Sequence, residues 1–287
     1  MYSNYIDEFL TYGLEKKSFD TKVAYGSTLA IFEKFLLEYS KDLKSFDAIH
    51  IQKYLGILEE QGMAPGTIHK HFYAIKAYCK WIKRKYLTEE IKLIKLPDVK
   101  QIAPKTLSKE EVIELIEKAS VNKRDLAVIY LLLGAGLSAT ELVALNKWNI
   151  KIDEKNKRGT VVIEKIKRGR TRKVAIGPVI RKAITEYLNE RGDDDPALFL
   201  SNRNQRISVR TVQSIIEKYC GKTKTSVLRH TFIGAMVQGE EDWAIIQKQA
   251  GLVTTQMLPR YAKPKEHNIQ DVADRFFEKD LLSHEDS

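Results

Sequence analysis

The sequence predicts a mainly α-helical protein with a small β-hairpin or sheet, an α+β fold class arranged in two domains. Apolar residues recur at helical spacing through residues 1–95. Two short β-branched runs, Gly159–Ile163 and Lys173–Ile176, depart from that period and are typical of a hairpin. The stretch 96–106 contains two prolines and no periodicity, so we expect it to be a linker. The predicted organisation is a helical domain at 1–95 and a mixed domain at 107–287.

The N-terminal domain is predicted to be helical throughout. Its third helix follows Pro65–Gly66–Thr67, where the Thr67 hydroxyl is the expected N-cap. Lysine, arginine and histidine recur along this helix and its continuation to residue 85, interleaved with aromatic residues. A helix of this composition can pack its aromatic side against the domain and turn its basic side towards phosphates.

The second domain is predicted to start at Ser108, which forms a capping box with Glu111 ahead of an apolar run. Further helices are expected at 126–133, 179–189, 209–219 (after Ser208), 231–238 and 243–249, and a tail helix at 268–282. One face of the tail carries Ile269, Val272, Phe276 and Phe277. That stripe predicts either packing within the same chain or docking on a neighbouring copy, so a homo-oligomer is a possible assembly.

The charge of the chain is concentrated in one segment. The 287 residues include 48 basic and 38 acidic residues, a formal net charge of +10. Residues 151–230 contain 20 basic and 9 acidic residues, an excess of eleven. A localised excess of this size predicts a polyanionic partner, most often nucleic acid.

Several classes of protein are disfavoured by composition. The longest near-apolar run, 126–137, has twelve residues, whereas a membrane span needs roughly 17–25. The first twenty residues lack the pattern of a signal peptide, and two cysteines do not make a disulfide framework. We expect a cytoplasmic, nucleoid-associated protein with no membrane contact, no metal and no cofactor.

Five motifs of the second domain occur in an order that resembles the tyrosine recombinases, the phage integrase family. They are Gly134–Leu142, the basic hairpin, Leu228–Phe232, Gln249–Gly251 and Met257–Ala262. The resemblance covers nearly the whole chain. It implies an N-terminal core-binding domain of the SAM-like type, followed by a domain of the recombinase catalytic type.

The resemblance also implies a chemistry. A tyrosine of the family attacks a DNA phosphate to form a 3′-phosphotyrosyl link, two arginines clamp the non-bridging oxygens, and a hairpin lysine protonates the leaving 5′-oxygen. Here Arg229 and Tyr261 match that pattern. The hairpin lysine falls on Arg168, or on Lys167 after a slip of one residue.

Three donor positions of the family hold other residues in this chain. Ser138 replaces the first arginine, Ser226 replaces the histidine three residues before Arg229, and Leu252 replaces a histidine or tryptophan. Losing one preorganised donor costs about 10²–10³ in rate. Arginine in the lysine position is also a poor proton donor. The sequence therefore predicts that no residue is catalytic and that six positions are vestigial: Ser138, Arg168, Ser226, Arg229, Leu252 and Tyr261.

The resulting functional prediction is a non-enzymatic, sequence-specific binder of double-stranded DNA, acting as a transcriptional repressor or regulator of a phage or mobile element. Two alternatives remain open: an active, atypical recombinase that uses Tyr261, and an architectural accessory protein for recombination. The predicted DNA-binding residues are Thr67, His69, Lys70, Lys76, Lys80, Lys83, Arg84, Lys165, Lys167, Arg168, Arg170, Arg172, Lys173, Arg203, Arg206, Ser208, Arg210 and Arg229.

Overall fold

The computed structural model describes residues 2–96, 103–153, 155–164 and 171–262. The chain divides into two compact units, Met1–Val99 and Lys100–Ser287. That division falls within the predicted linker 96–106, most of which lies outside the described residues. The domain limits given above stay predictions.

The first unit is helical, as its periodicity predicts. Buried aromatic residues from the helices and from the segments that join them form much of its core: the Phe32 ring packs edge-on against Phe46 and lies beside Tyr54, and Phe9 packs edge-on against Tyr78. The elements are α1 (Asn4–Glu8), a π-helical turn (Phe9–Gly13), α2 (Phe19–Glu38), α3 (Ala48–Glu60), α4 (Pro65–Trp81) and a 3₁₀ turn (Lys85–Thr88).

Two details of α4 differ from the sequence prediction. The helix begins at Pro65 with Ala64 at the N-cap, so Thr67 lies inside the first turn and is not the cap. Proline suits the first helical position because it has no N–H to leave unpaired. The helix ends at Trp81, and Lys83 takes a left-handed backbone with φ of 61°, so α4 does not continue to residue 85 as predicted.

The second unit combines helices with a three-stranded antiparallel sheet of order β1-β2-β3. Its elements are α5 (Lys109–Ala119), α6 (Lys123–Gly134), α7 (Ala139–Ala144), a 3₁₀ turn (Lys147–Asn149), β1 (Ile150–Asp153), β2 (Arg158–Ile163), β3 (Arg172–Ala175), α8 (Pro178–Asn189), α9 (Val209–Cys220), α10 (Thr225–Gln238), α11 (Trp243–Ala250) and a 3₁₀ turn (Leu258–Tyr261). The apolar helix α6 is buried against α8 and α10.

The predicted hairpin is confirmed as β2 and β3, which pair from Thr160↔Ala175 to Ile163↔Arg172. The sequence prediction missed β1, which pairs with β2 through Ile150↔Val161. This strand has four residues, two of them charged, and such a short alternation is a weak sequence signal.

The helix starts predicted at Ser108 and Ser208 are confirmed, and both hydroxyls accept the expected backbone N–H. Helix α10 begins at Thr225, six residues before the predicted start at Thr231, because Val227 and Leu228 are buried in the core of the unit. The predicted tail helix lies outside the described residues. None of the described helices has the length and apolar character that crossing a membrane requires.

Candidate active site

Arg229 lies on α10 and joins the loop after α6 to the C-terminal end of α11. Its Nη1 donates to the carbonyl of Gly136 at 2.5 Å, and its Nη2 donates to the carbonyl of Ala250 at 2.6 Å. Nη1 also lies 3.5 Å from Oε2 of Glu141. Burial lowers the pKa of Arg229, an effect opposed by Glu141 and strengthened by nearby Arg172. Arginine still remains protonated at neutral pH.

Glu141 is held by the start of helix α7. The backbone N–H and the hydroxyl of Ser138 both donate to Glu141 Oε2, at 2.8 and 2.9 Å, while the Glu141 N–H donates back to the Ser138 hydroxyl. Burial alone would raise the pKa of Glu141, but hydrogen bonds from Arg172 and Ser138 outweigh it and hold that pKa below its ordinary value of 4.5. Glu141 is therefore ionised at neutral pH.

Arg172 reaches the same carboxylate from the sheet. Side chains alternate along β3, so Arg172 and Val174 face inwards while Lys173 faces solvent. The Nη1 of Arg172 donates to Oε1 of Glu141, and its Nη2 lies 3.4 Å from the carbonyl oxygen of Ala250. The side chain is only 13% exposed.

The C-terminal end of α11 fits closely around Arg172. Gly251 caps this helix in a left-handed conformation with φ of +66°, and a Cβ on it would stand 2.5 Å from Cζ of Arg172. Gln249 ties the same turn to β3 through hydrogen bonds with both backbone groups of Ala175. Gly251 is therefore needed both for its backbone conformation and for the space it leaves.

Tyr261 and His230 form a neutral polar pair beside this charged cluster. The hydroxyl of Tyr261 lies 2.6 Å from Nδ1 of His230. Tyr261 is 8% exposed and packs with Ile233, Ile246 and Leu258. The tyrosine donates the bond in the histidine tautomer that carries its proton on Nε2.

The titration of this pair is shifted by burial. Burial lowers the pKa of His230 below its ordinary value of 6.5, and the charges of Arg229 and Arg260 lower it further. Burial raises the pKa of Tyr261 above 10.0, against the opposite effect of the two arginines. At pH 7 the imidazole is neutral and the phenol is protonated, which is the starting state for transfer of a proton from Tyr261 to His230.

Of the remaining positions that the sequence predicts to be vestigial, Ser226 lies at the surface and Leu252 is partly buried. Ser226 is exposed and lines a cavity of about 420 Å³ together with His230 and Arg260. Leu252 packs against the apolar cluster that contains Tyr261. Arg168 lies outside the described residues, as do Lys165, Lys167 and Arg170 of the hairpin.

The predicted DNA-binding residues around the start of α9 are exposed. Ser208 caps this helix, and Arg203 and Arg210 lie on either side of the cap. Arg206 is also exposed, but its guanidinium is engaged within the unit, because its Nη1 donates to the carbonyls of Val143 and Leu145.

The predicted positions on and after α4 differ in exposure and in their contacts. Lys70, Lys80 and Lys83 are exposed. Two others are engaged within the unit: His69 Nε2 lies 2.8 Å from the carbonyl of Ile94, and Arg84 donates to the carbonyls of residues 44 and 46. Lys76 is half-buried beside the Phe72 ring. Contact of these residues with DNA stays a prediction.

Three residues of the site were missed at the level of sequence: Glu141, His230 as the partner of Tyr261, and the inward orientation of Arg172. Two of them, Glu141 and Arg172, have a local sequence pattern that could have predicted them. The spacing of Ser138 and Glu141 is that of a capping box, and Arg172 precedes Val174 by the two residues that share one face of a strand. The contact between His230 and Tyr261 spans 31 residues and has no local signature.

The fold and the site together define the class of protein: a two-unit integrase-type fold with a tyrosine, a histidine and two arginines in one partly buried site. Residues 105–268 match the model of the phage integrase family, and residues 6–86 match that of the phage integrase N-terminal SAM-like domain. The chain belongs to the phage integrase family, the tyrosine recombinases.

Relatives and solved structures agree with that assignment. The chain is 32% identical over 271 residues to tyrosine recombinase XerA of Pyrococcus furiosus, covering 90% of each chain. It is 29% identical to tyrosine recombinase XerC of Myxococcus xanthus over 272 residues, covering 87% of this chain and 89% of the relative. The fold is similar to the Tn1549 transposon integrase in complex with circular intermediate DNA (TM-score 0.71, 17% identity, 94% and 98% covered) and to the XerH recombinase bound to difH (0.69, 17%, 94% of each).

These relatives contradict one prediction made from the sequence. The expectation of a non-enzymatic transcriptional repressor is wrong, because curated relatives aligned over about nine-tenths of the chain are tyrosine recombinases, a class of enzyme. The expectation overweighted the three missing donors. It took no account of the inward Arg172 or of the histidine that binds Tyr261, since both depend on tertiary structure.

Proposed function

We propose that this protein is a site-specific tyrosine recombinase that cleaves and rejoins double-stranded DNA with Tyr261 as the nucleophile. The observation that carries the proposal is the 2.6 Å contact between the Tyr261 hydroxyl and Nδ1 of His230, one residue beyond Arg229. The naming of relatives as tyrosine recombinases supports the same activity.

The chemistry requires a base because the phenol of Tyr261 is protonated at neutral pH. Oη of Tyr261 attacks the phosphorus, its proton passes to Nδ1 of His230, and the bond from phosphorus to the 5′-oxygen breaks. The products of this half-reaction are a 3′-phosphotyrosyl link and a 5′-hydroxyl, whose oxygen takes a proton from a hairpin lysine, for which Lys167 is our candidate, or from water. Attack by a 5′-hydroxyl on the phosphotyrosyl link reverses these steps and rejoins a strand.

Arg229 is the candidate donor to the phosphate. It is cationic, 18% exposed and anchored by two backbone carbonyls, so little reorganisation is needed when charge builds up on the non-bridging oxygens. A guanidinium has five N–H donors, and the two carbonyls occupy two of them.

Binding to duplex DNA would draw on the exposed cations of both units. Lys70, Lys80, Arg203 and Arg210 are exposed, and residues 151–230 hold the basic excess of the chain. Phosphate contacts position a protein on DNA without reading its sequence, so site selection requires base contacts from helices such as α4 and α9. We further propose that the tail 268–282 joins protomers on DNA and that the protein acts in the cytoplasm.

The test is covalent capture. A duplex site selected from random DNA is prepared with a nick that lets the cleaved fragment diffuse away, and the mixture is run on a denaturing gel. We expect a protein–DNA band with the wild type and none with Tyr261→Phe. Tyr12→Phe is the matched control, because Tyr12 is 74% exposed in the first unit and should leave the band unchanged.

Two outcomes contradict the proposal. Tight, specific binding without a covalent band would remove the enzymatic activity, and a band that persists in Tyr261→Phe would assign the nucleophile to another residue.

A further inference from the structure

The cluster of Arg172, Arg229 and Glu141 holds more positive than negative charge. Arg172 and Arg229 both contact the carboxylate of Glu141, so three ionised side chains carry a net charge of +1. Their exposed fractions are 13%, 18% and 16% respectively. An unbalanced charge in such a partly buried position is costly unless an anion completes the cluster.

The two guanidiniums also converge on one backbone atom. Nη2 of Arg229 lies 2.6 Å from the carbonyl oxygen of Ala250, and Nη2 of Arg172 lies 3.4 Å from the same oxygen. Two guanidinium groups arranged in this way present N–H donors from two directions. This arrangement suits a tetrahedral anion with two free oxygens.

The position of Arg172 is fixed from three sides. The β3 backbone turns its side chain inwards, Glu141 accepts from its Nη1, and the surface left open by Gly251 lies against its guanidinium. A side chain held this firmly has little rotamer freedom left to lose when it binds a ligand.

We propose that Arg172 is the second guanidinium of the phosphate site, donating to a non-bridging oxygen of the scissile phosphodiester beside Arg229, with Glu141 as the positioning residue for both. This inference rests on the proposed recombinase function. Arg172, which is among the DNA-binding residues predicted from the sequence, is thereby assigned to the site of chemistry. Arg172 thereby supplies the cation that Ser138, bonded to the same carboxylate, cannot supply.

The first experiment compares cleavage of two nicked duplexes. One has the natural scissile phosphate, and the other has a methylphosphonate, which lacks the negative charge of the non-bridging oxygens. We expect Arg172→Ala to slow covalent capture about 100-fold on the phosphate, the effect of removing one preorganised donor. On the methylphosphonate the same variant should lose less than about tenfold, because a neutral linkage needs less cationic stabilisation.

Two further variants serve as controls. Arg172→Lys keeps the charge but not the fork, so we expect an intermediate loss. Lys182→Ala removes a cation that is 77% exposed on α8 and should leave both rates unchanged. A merely structural role of Arg172 predicts equal slowing on both duplexes, and that result would overturn the inference while leaving the covalent activity of the wild type in place.

A binding experiment tests the inference separately from catalysis. Single methylphosphonates are scanned across the selected site, and the dissociation constant is measured for the wild type and for Arg172→Ala. We expect one linkage at which the wild type loses about tenfold in affinity and Arg172→Ala does not, because the partner of that charge has been removed. Equal losses for both proteins at every linkage would contradict the placement of Arg172 even if the wild type formed no covalent band.

Discussion

Two helix starts in this chain share one four-residue pattern and differ in what surrounds it. Ser108 and Glu111 open α5, and Ser138 and Glu141 open α7. In both, the serine N–H donates to the glutamate (2.7 and 2.8 Å) and the glutamate N–H donates to the serine hydroxyl (3.2 and 3.3 Å). The first box lies at the surface. The second is partly buried and its carboxylate binds two arginines.

The difference shows that the local pattern sets where a helix begins, whereas the surroundings decide whether its glutamate has a second role. Capping requires only a serine and a glutamate three residues apart. Holding Arg172 and Arg229 requires that β3 and α10 approach α7, which no four-residue pattern encodes. Paired variants of the two boxes test this distinction.

The largest difference in stability is expected between variants of the two glutamates. Glu141→Gln leaves two partly buried guanidiniums without their carboxylate, and removing one partner of a buried ion pair costs about 3–5 kcal/mol. Glu111→Gln at the surface should change the free energy of unfolding by no more than about 0.5 kcal/mol. Urea unfolding of both variants measures the difference between the two free energies of unfolding. Equal changes in the two variants would contradict the proposed difference between the two capping boxes.

Lowering the pH should reduce the difference in stability between the wild type and Glu141→Gln. Since the pKa of Glu141 is held below 4.5, the stabilisation by its charge is complete above the unfolded-state pKa and is lost as pH falls through the lower folded-state pKa. We expect a constant difference in melting temperature between pH 7 and about pH 5, and a shrinking one below. A difference that grows towards acid would contradict the charge state assigned to Glu141.

Changes to the pair of Tyr261 and His230 should affect the rate of covalent capture more than the stability of the protein. His230→Gln removes the proton acceptor of Tyr261, so covalent capture should slow at least about 100-fold at pH 7. In the wild type the rate should rise with pH through the lowered pKa of His230 and level off near neutrality, because only the neutral imidazole accepts a proton. Loss of that rise in His230→Gln is the specific signature, and an unchanged profile would give the base role to another group.

A smaller effect is expected at the glycine that accommodates Arg172. Gly251→Ala places a Cβ against the guanidinium and strains a left-handed backbone, so we expect a loss of about 1–3 kcal/mol in stability. Gly62→Ala is the matched control, because Gly62 has φ of +72° with nothing within 4 Å of the added atom. The two losses should differ by the cost of displacing Arg172, and identical losses would show that Arg172 moves freely.

The smallest effect is expected from the two serines. Ser108→Ala and Ser138→Ala each remove an N-cap and should cost about 1 kcal/mol in the free energy of unfolding. Covalent capture should fall only in Ser138→Ala, because only that serine holds a carboxylate that binds Arg172 and Arg229. A loss of capture in Ser108→Ala would assign the effect to general destabilisation.

Sequence-based prediction worked where the physical cause is local. The β-branched run Gly159–Ile163 predicted β2, and the serines at 108 and 208 predicted the starts of α5 and α9. It failed where neighbours in space decide: α10 starts six residues early because Val227 and Leu228 are buried, and β1 exists because β2 offers it a partner.

The same division applies to the function. By itself the sequence determined the helical first unit, the hairpin of β2 and β3, the family resemblance and the positions of Arg229 and Tyr261, because period, capping and motif order are local or linear properties of the chain. Only the tertiary structure decided that Arg172 faces inwards to Glu141 and that His230 binds Tyr261. These contacts join residues 31 positions apart in the chain, and such contacts form only when the packing of α7, β3, α10 and the final turn brings their side chains together.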